Sequence, residues 1–375
     1  MRVAVDGRAL RPGAVHRRGV ARYLRYLLEA LAELEPEDEY LVLVAGTGDP
    51  APFGAPNIRT VRSGVPGRVL FGAAAVLGRP RLDRLTGGCD VAWAPAPAPL
   101  ALSDGVPLVL TVHDLSFEHD ADYTRYERLW HRLARPEELV RRSTCVICPS
   151  GPVREAALAR WGLAPAQVRV VRSGAGKARE AAVGGPPASA GSGPPGTAGA
   201  LPGDVTRPYV LAVGALEPRK LPGVLVEAHA LARARGLRAS LVFAGDGPLR
   251  GELEDSQAVV LGHVSDQVLD ALYAGALALA CVSRTEGFGF TPVEALARNT
   301  PVVVADLPVF AETLGDGAIR VPSGDAEALA DVLLLLERDG DLRRRLVTAG
   351  GEAVAELSWE RAARETRAIL AEAAA

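Results

Sequence analysis

Four cysteines are too few to staple a chain of 375 residues, so a disulfide framework is excluded. Cys145 and Cys148 have the C-x-x-C redox spacing, but the surrounding STCVICPS reads as a buried strand, on which residues three apart point to opposite faces. Buried free thiols are the better reading. The six histidines show no H-x-x-H or H-E-x-x-H spacing, so no metal site built by the protein is expected. Charge of one sign is lacking as well. With 42 Lys and Arg against 45 Asp and Glu, the net charge of −3 supplies no field to gather nucleic acid. No uninterrupted apolar run approaches the length that crosses a bilayer, and MRVAVDGRAL reaches Asp6 before a signal-peptide core could form. The expectation is a soluble, cytoplasmic protein. Lysine is nearly absent: Lys177 and Lys220 are the whole supply, while arginine is used freely.

What is present is apolar material, 48% of the chain, enough for two cores at about 150 residues per domain. Residues 2 to 6 read as a short strand. GVARYLRYLLEALAEL follows with Val20, Tyr23, Leu24, Leu27, Leu28, Leu31 and Leu34 on one helical stripe. YLVLVAG, IRTVR, CDVAWAP, PLVLTVHD, TCVICPS and VRVVRSG read as further strands, with a basic, aromatic-rich helix over 123 to 143 and another through Trp161. Apolar strands alternating with amphipathic helices predict an α/β fold with a parallel sheet covered on both sides. The pattern breaks at 174–207, a Gly/Pro/Ala/Ser-rich stretch that cannot bury enough apolar surface to offset chain entropy and reads as a linker or insertion. A second strand series follows: YVLAVGAL, SLVFAGDG, AVVLGHV, ALALACVS, PVVVAD and AIRV. In such sheets ligands bind outside the carboxyl ends of the strands.

Several pieces of the second half fall at those ends. VGALEPRK sets Arg219 and Lys220 just beyond a strand, where a planar guanidinium and a compact ammonium suit a diphosphate, the alternative being a solvated surface pair. FAGDGPLRGEL begins a G-x-G-x-x-G pattern at Gly245 and Gly247 but has Arg250 at the last glycine position; a tight strand-to-helix turn explains it, and a dinucleotide dehydrogenase is disfavoured. RTEGFGFTPVEAL puts Glu286 and Glu294 eight positions apart around a glycine-rich turn. Amides of Gly287, Phe288 and Gly289 approach a helix start, where an anion is favoured. Glu286 would repel that anion and is better suited to accept from neutral hydroxyls, which sugars have. Glu294 has a plainer reading, in which Thr291 is the N-cap and Pro292, Val293 and Glu294 follow as N1, N2 and N3 of a capping box. Asn299 stands where that helix ends, a place for the left-handed conformation that Asn tolerates.

RTEGFGFTPVEALARNTPVV resembles the E-x7-E signature of the retaining nucleotide-sugar glycosyltransferases of family four, which have the GT-B fold of two Rossmann-like parallel-sheet domains facing a central cleft. GVARYL, TVHDLSF, PYVLAVGALEPRK, FAGDGPL, FAETLGDGAIRV and LSWERAARETRAIL extend the likeness over most of the chain. The resemblance implies an acceptor-binding domain at 1–173, a nucleotide-sugar-binding domain at 208–356, and a terminal helix at 357–375 that crosses back to the first domain. It implies that Glu294 holds the ribose hydroxyls and that Glu286 lies near the hydroxyls of the donor sugar. Gly287, Phe288, Gly289, Gly19 and Gly214 then belong to the donor-binding turns, and Arg219 and Lys220 to the diphosphate. His113 faces the donor sugar, with Asp114 beside it as a further contact. The sequence departs from the family pattern at Asn299, where glycine is usual, at Leu221, where Asn is common, at Pro292, shifted by one residue, and at Gly19, which stands alone rather than in a pair.

The reaction so implied is transfer of a hexosyl unit from a nucleoside-diphosphate sugar to an acceptor hydroxyl, with retention and without a metal or other cofactor. The acceptor class stays open among a lipid carrier, a glycan and a small natural product. A non-catalytic sugar-nucleotide-binding protein, a GT-B phosphorylase and a nucleotide-sugar epimerase are the alternatives. Tyr123, Tyr126 and Trp130 among Arg125, Arg128, Arg132 and Arg135 also suit peripheral contact at the inner face of a membrane, a solvated or acceptor-facing helix being the other reading.

Overall fold

A computed structural model of the chain describes residues 1–10, 19–46, 52–118, 125–175 and 201–375. The chain divides into two compact units. Unit 1 comprises Met1–Gly174 and Ser358–Ala375, and unit 2 comprises Ala175–Leu357. Most of the Gly/Pro-rich stretch, together with Lys177, lies outside the described residues. Its two ends belong to packed structure: a side chain on Gly174 would collide with Trp359, and Ala175 and Val205 are buried in the core of unit 2.

Unit 1 is built on seven strands: β1 (Arg2–Asp6), β2 (Glu39–Val44), β3 (Ile58–Arg62), β4 (Val91–Ala94), β5 (Leu108–Thr111), β6 (Cys145–Cys148) and β7 (Val168–Val170). They form one sheet in the order β3-β2-β1-β4-β5-β6-β7, every pairing parallel. Central strands such as VAWA and LVLT are buried along their whole length, as expected of a sheet covered on both faces, while edge strand IRTVR turns its arginines to solvent. Val3 pairs with Tyr40 on one side and Val91 on the other, so the strand order reverses direction beside β1.

The amphipathic helix Gly19–Leu34 buries Tyr23, Leu24, Leu27, Leu28 and Leu31 with Ala21 and Ala32. Val20 and Leu34, placed on the same stripe by periodicity, are only half-buried at its two ends. The helix expected over 123 to 143 is instead two, Arg125–Ala134 and Pro136–Arg142. They break at Arg135, whose φ of 46° leaves the helical region, and Pro136 then opens the second helix at N1. Both Cys145 and Cys148 are buried free thiols, and burial pushes them up to about 11 and about 12.

Unit 2 holds β8 (Tyr209–Val213), β9 (Ser240–Ala244), β10 (Val259–Val260), β11 (Ala278–Cys281), β12 (Val302–Ala305) and β13 (Ala318–Val321), ordered β10-β9-β8-β11-β12-β13 with parallel pairings. Alternation along β8 sends Tyr209 and Leu211 into one core layer and Val210 and Ala212 into the other. The order reverses between β8 and β11, which makes the carboxyl ends of those two strands the topological switch point.

The last helix, Trp359–Ala374, is capped by Ser358, whose hydroxyl accepts from the Arg361 amide, and it packs on the helix Gly19–Leu34 of unit 1. Trp359 lies edge-on to Tyr23 at 6.0 Å, and Arg367 Nε donates to buried Asp38 at 2.9 Å.

Candidate functional site

Two loops meet at the switch point of unit 2. The first leaves β8 through Gly214, whose φ of 131° suits glycine, and runs to a single 3-10 turn at Pro218–Lys220. The second leaves β11 through Ser283 and Glu286 into the helix Phe290–Leu296. The loops are tied together where the Arg284 amide donates to the Arg219 carbonyl at 2.8 Å. A third loop after β9 braces the first: the Leu216 amide donates to the Asp246 carbonyl at 3.1 Å, and Gly245 lies so close to Gly214 that an added Cβ would stand 1.8 Å from its carbonyl oxygen. The G-x-G pattern thus marks close backbone approach, as a tight turn requires.

Lys220 Nζ donates to Glu286 Oε1 in a short ion pair, with side chains 20% and 12% exposed. The Ser283 hydroxyl donates to the same oxygen at 2.8 Å, and the Cys281 thiol lies 3.9 Å from it. Burial pushes the Glu286 carboxyl up, but Lys220, Arg219 and the two hydrogen bonds more than offset this and hold it below the ordinary carboxylate range. Burial pushes Cys281 up to about 11, with the Glu286 charge adding to it, so the thiol is a neutral S–H donor at physiological pH. Arg219 is paired with Glu217, its Nε donating at 3.2 Å. Leu221 takes φ 50°, a left-handed conformation that Asn tolerates better than Leu.

Glu294 does not form a capping box. The helix starts two residues earlier than expected, with Gly289 as its N-cap at φ 87° and no side-chain cap bond. Pro292 is still accommodated, because the first four helical amides lack an intrahelical acceptor. The Glu294 carboxylate is buried, 4% exposed, and Oε2 accepts from the fully buried Tyr273 hydroxyl at 3.0 Å. Arg298 lies over the Tyr273 ring at 5.4 Å and pairs with Asp270. Gly287, Phe288 and Gly289 are buried, and the Phe288 ring belongs to the core beside Phe290, so only its backbone is available to a ligand. The helix they lead into has seven residues, too short for its dipole to carry much weight. Asn299 takes φ 59° at the helix end, as expected.

His113 and Asp114 follow β5 in unit 1. His113 Nε2 is 2.9 Å from the Pro95 carbonyl, and the Tyr23 ring meets the imidazole edge-on at 4.6 Å. Burial pulls its pKa below the usual histidine value, against the Asp114 charge and the Pro95 carbonyl. Asp114 closes its own turn, Oδ1 accepting from the Ser116 amide and hydroxyl at 3.0 and 2.6 Å. Gly19 is the exposed first residue of its helix. Ser283, Cys281, Glu217 and Tyr273 went unforeseen. Ser283 stands three positions before Glu286 and had a signal to find; Tyr273 comes from another helix and had none. Among the described residues no group of three or more His, Cys, Asp or Glu could hold a metal ion, and no helix is long and apolar enough to cross a membrane.

Residues 17–176 match the family described as Glycosyltransferase Family 4, and residues 200–352 match Glycosyl transferases group 1. A phosphatidyl-myo-inositol mannosyltransferase of Mycobacterium leprae is 38% identical over 152 residues, 38% of this chain and 40% of that protein. O-antigen chain mannosyltransferase B of Escherichia coli is 32% identical over 172 residues, 42% of this chain and 44% of that protein. The chain thus spans less than half the length of these curated relatives in the matched region. Among solved structures, sucrose-phosphate synthase from Thermosynechococcus elongatus has a TM-score of 0.71 at 20% identity, covering 99% of this chain and 98% of its own. WaaG, a glycosyltransferase involved in lipopolysaccharide biosynthesis, has a TM-score of 0.69 at 14% identity, covering 99% of each chain. At such identities the likeness is one of fold.

Proposed function

Since the chain belongs to glycosyltransferase family 4, with two Rossmann-like units of the GT-B kind, we propose that it transfers a sugar from a nucleoside-diphosphate sugar to an acceptor hydroxyl, with retention at the anomeric carbon. The observation that carries this reading is the pairing of Lys220 with Glu286 beside the carboxyl ends of β8 and β11, with Glu294 eight residues further on. Lys220 and Arg219 meet the diphosphate, Glu286 accepts from hydroxyls of the donor sugar, and Glu294 accepts from the ribose. In unit 1, His113 contacts the sugar or the acceptor. As the bond from the anomeric carbon to the phosphate oxygen breaks, negative charge grows on the diphosphate and the cations stabilise it. The acceptor oxygen bonds to the same carbon from the same face, and its proton passes to the departing phosphate oxygen.

A mannosyl donor is the first to test, because the relatives above are described as mannosyltransferases. The test is a panel of nucleotide sugars screened for binding and for slow hydrolysis without acceptor. Lys220→Ala is expected to lose roughly a hundred- to a thousand-fold in turnover; a variant with wild-type turnover removes Lys220 from the chemistry. Fixed cations neutralise the leaving group on this reading, so turnover persists in chelator. Binding without any turnover would instead favour a sugar-nucleotide-binding protein. Unit 1 is also proposed to meet an anionic lipid surface, on the strength of exposed Val69, Val76, Leu77 and Leu129; liposome sedimentation tests this.

A further inference from the structure

Among the described residues, Glu286 is held by one oxygen only. Oε1 takes the Lys220 ammonium, the Ser283 hydroxyl at 2.8 Å and the Cys281 thiol at 3.9 Å, and no described residue hydrogen-bonds Oε2. These donors differ in kind. Lys220 ends a long side chain that, on the function proposed above, also serves a diphosphate. Ser283 is 1% exposed, on short tether just past β11, with no such second task. A half-buried carboxylate that surrendered its cation would take up a proton or swing toward water unless another donor kept it in place.

We propose that Ser283 is a positioning residue: its hydroxyl fixes Oε1 of Glu286 independently of Lys220, so that Oε2 remains the oxygen offered to a ligand hydroxyl while Lys220 turns to the diphosphate. The identity of the ligand rests on the function above; the bond does not. Lys220 and Arg219 from the 3-10 turn and Cys281 from β11 are the other charged or titratable groups acting on Glu286. Each hydrogen bond to the carboxylate favours its charged form, so removing the hydroxyl raises the pH at which Glu286 takes up a proton.

The test compares wild-type, Ser283→Ala and Ser283→Thr proteins by isotope-edited infrared titration, with the Glu286 band identified by subtracting Glu286→Gln. Ser283→Ala is expected to titrate about one pH unit higher, and Ser283→Thr, which keeps the hydroxyl, close to wild type. Equal midpoints in all three proteins overturn the proposal. If Ser283→Ala does not fold, Ser283→Cys, with a much weaker donor of similar size, makes the same comparison. A second arm follows hydrolysis of the nucleotide sugar that the panel above shows to be turned over, in which the acid limb of kcat moves up in Ser283→Ala and stays in place in Ser283→Thr. A wild-type protein inert toward every nucleotide sugar would overturn the functional reading, and the titration, which needs no ligand, would still decide the role of Ser283.

Discussion

The hydroxyl of Tyr273 is the least foreseeable residue of the site and the most consequential for Glu294. It comes from a helix 21 positions upstream, and no pattern of spacing joins the two. Both side chains are nearly inaccessible, so the carboxylate depends on protein donors rather than water to stay oriented. Tyr273→Phe removes one donor to a charged acceptor and is expected to weaken nucleoside diphosphate binding by about 1.5–3 kcal/mol, roughly ten- to 150-fold, with kcat at saturation little changed. Calorimetric titration checks it, and unchanged affinity would detach Tyr273 from nucleoside recognition. Lys220 and Glu286 were legible because their chemistry is scarce or out of place: one of two lysines, and a carboxylate beside a proposed anion site. Ser283 hid behind the same motif, since a serine after a strand has many ordinary uses.

At the level of elements, strands were readable because burial on both faces leaves continuous apolar runs, and β4, β5, β6 and β11 have no exposed position. Helix boundaries were not. A capping sequence at Thr291 lost to a left-handed glycine two residues earlier, because Gly289 lets the backbone turn beside Phe310 where a Cβ would stand 2.6 Å from the ring. The run over 123 to 143 kept a helical composition across Arg135 although the backbone breaks there. Tyr123 lies outside the described residues, and so do the side chains of Tyr126 and Trp130, so the aromatic part of the interfacial expectation falls elsewhere. The described apolar exposure is on helix Gly67–Leu77, which buries Leu70, Phe71 and Ala74 and leaves Val69, Val76 and Leu77 at 60–73% exposure, packed against helix Arg125–Ala134 with its exposed Leu129. Arg68 lies in the first turn of that helix and Arg79 just past its C-cap. Such a combination suits an anionic surface. Replacing Val76 and Leu77 together by Glu is expected to reduce co-sedimentation with phosphatidylglycerol vesicles several-fold and to leave hydrolysis in solution unchanged; equal sedimentation of both proteins would sink the idea.

For the whole molecule, alternation of strands and helices on either side of a Gly/Pro-rich stretch was enough to read two α/β units. The chain changes unit between Gly174 and Ala175 and again between Leu357 and Ser358; composition pointed to the first change, whereas the return of the terminal helix at 357–375 was read from the family resemblance, because contacts between distant residues leave no mark in composition. Trp359, Ile369 and Leu370 are all buried, and at about 1.5–3 kcal/mol each they contribute roughly 5–9 kcal/mol, comparable with the entire stability of an ordinary domain. A chain ending at Leu357 is therefore expected to lose the thermal transition of unit 1 while keeping that of unit 2. Differential scanning calorimetry checks this, and two transitions at wild-type temperatures would refute it.

The return of the last helix to unit 1 also sets an order of assembly. A ribosome making this chain has delivered every residue of unit 2 before it reaches Ser358, so the later half can complete its core while the earlier half still waits for Trp359. The portion translated first is finished last, and until then the side of Tyr23 that meets Trp359 stays uncovered.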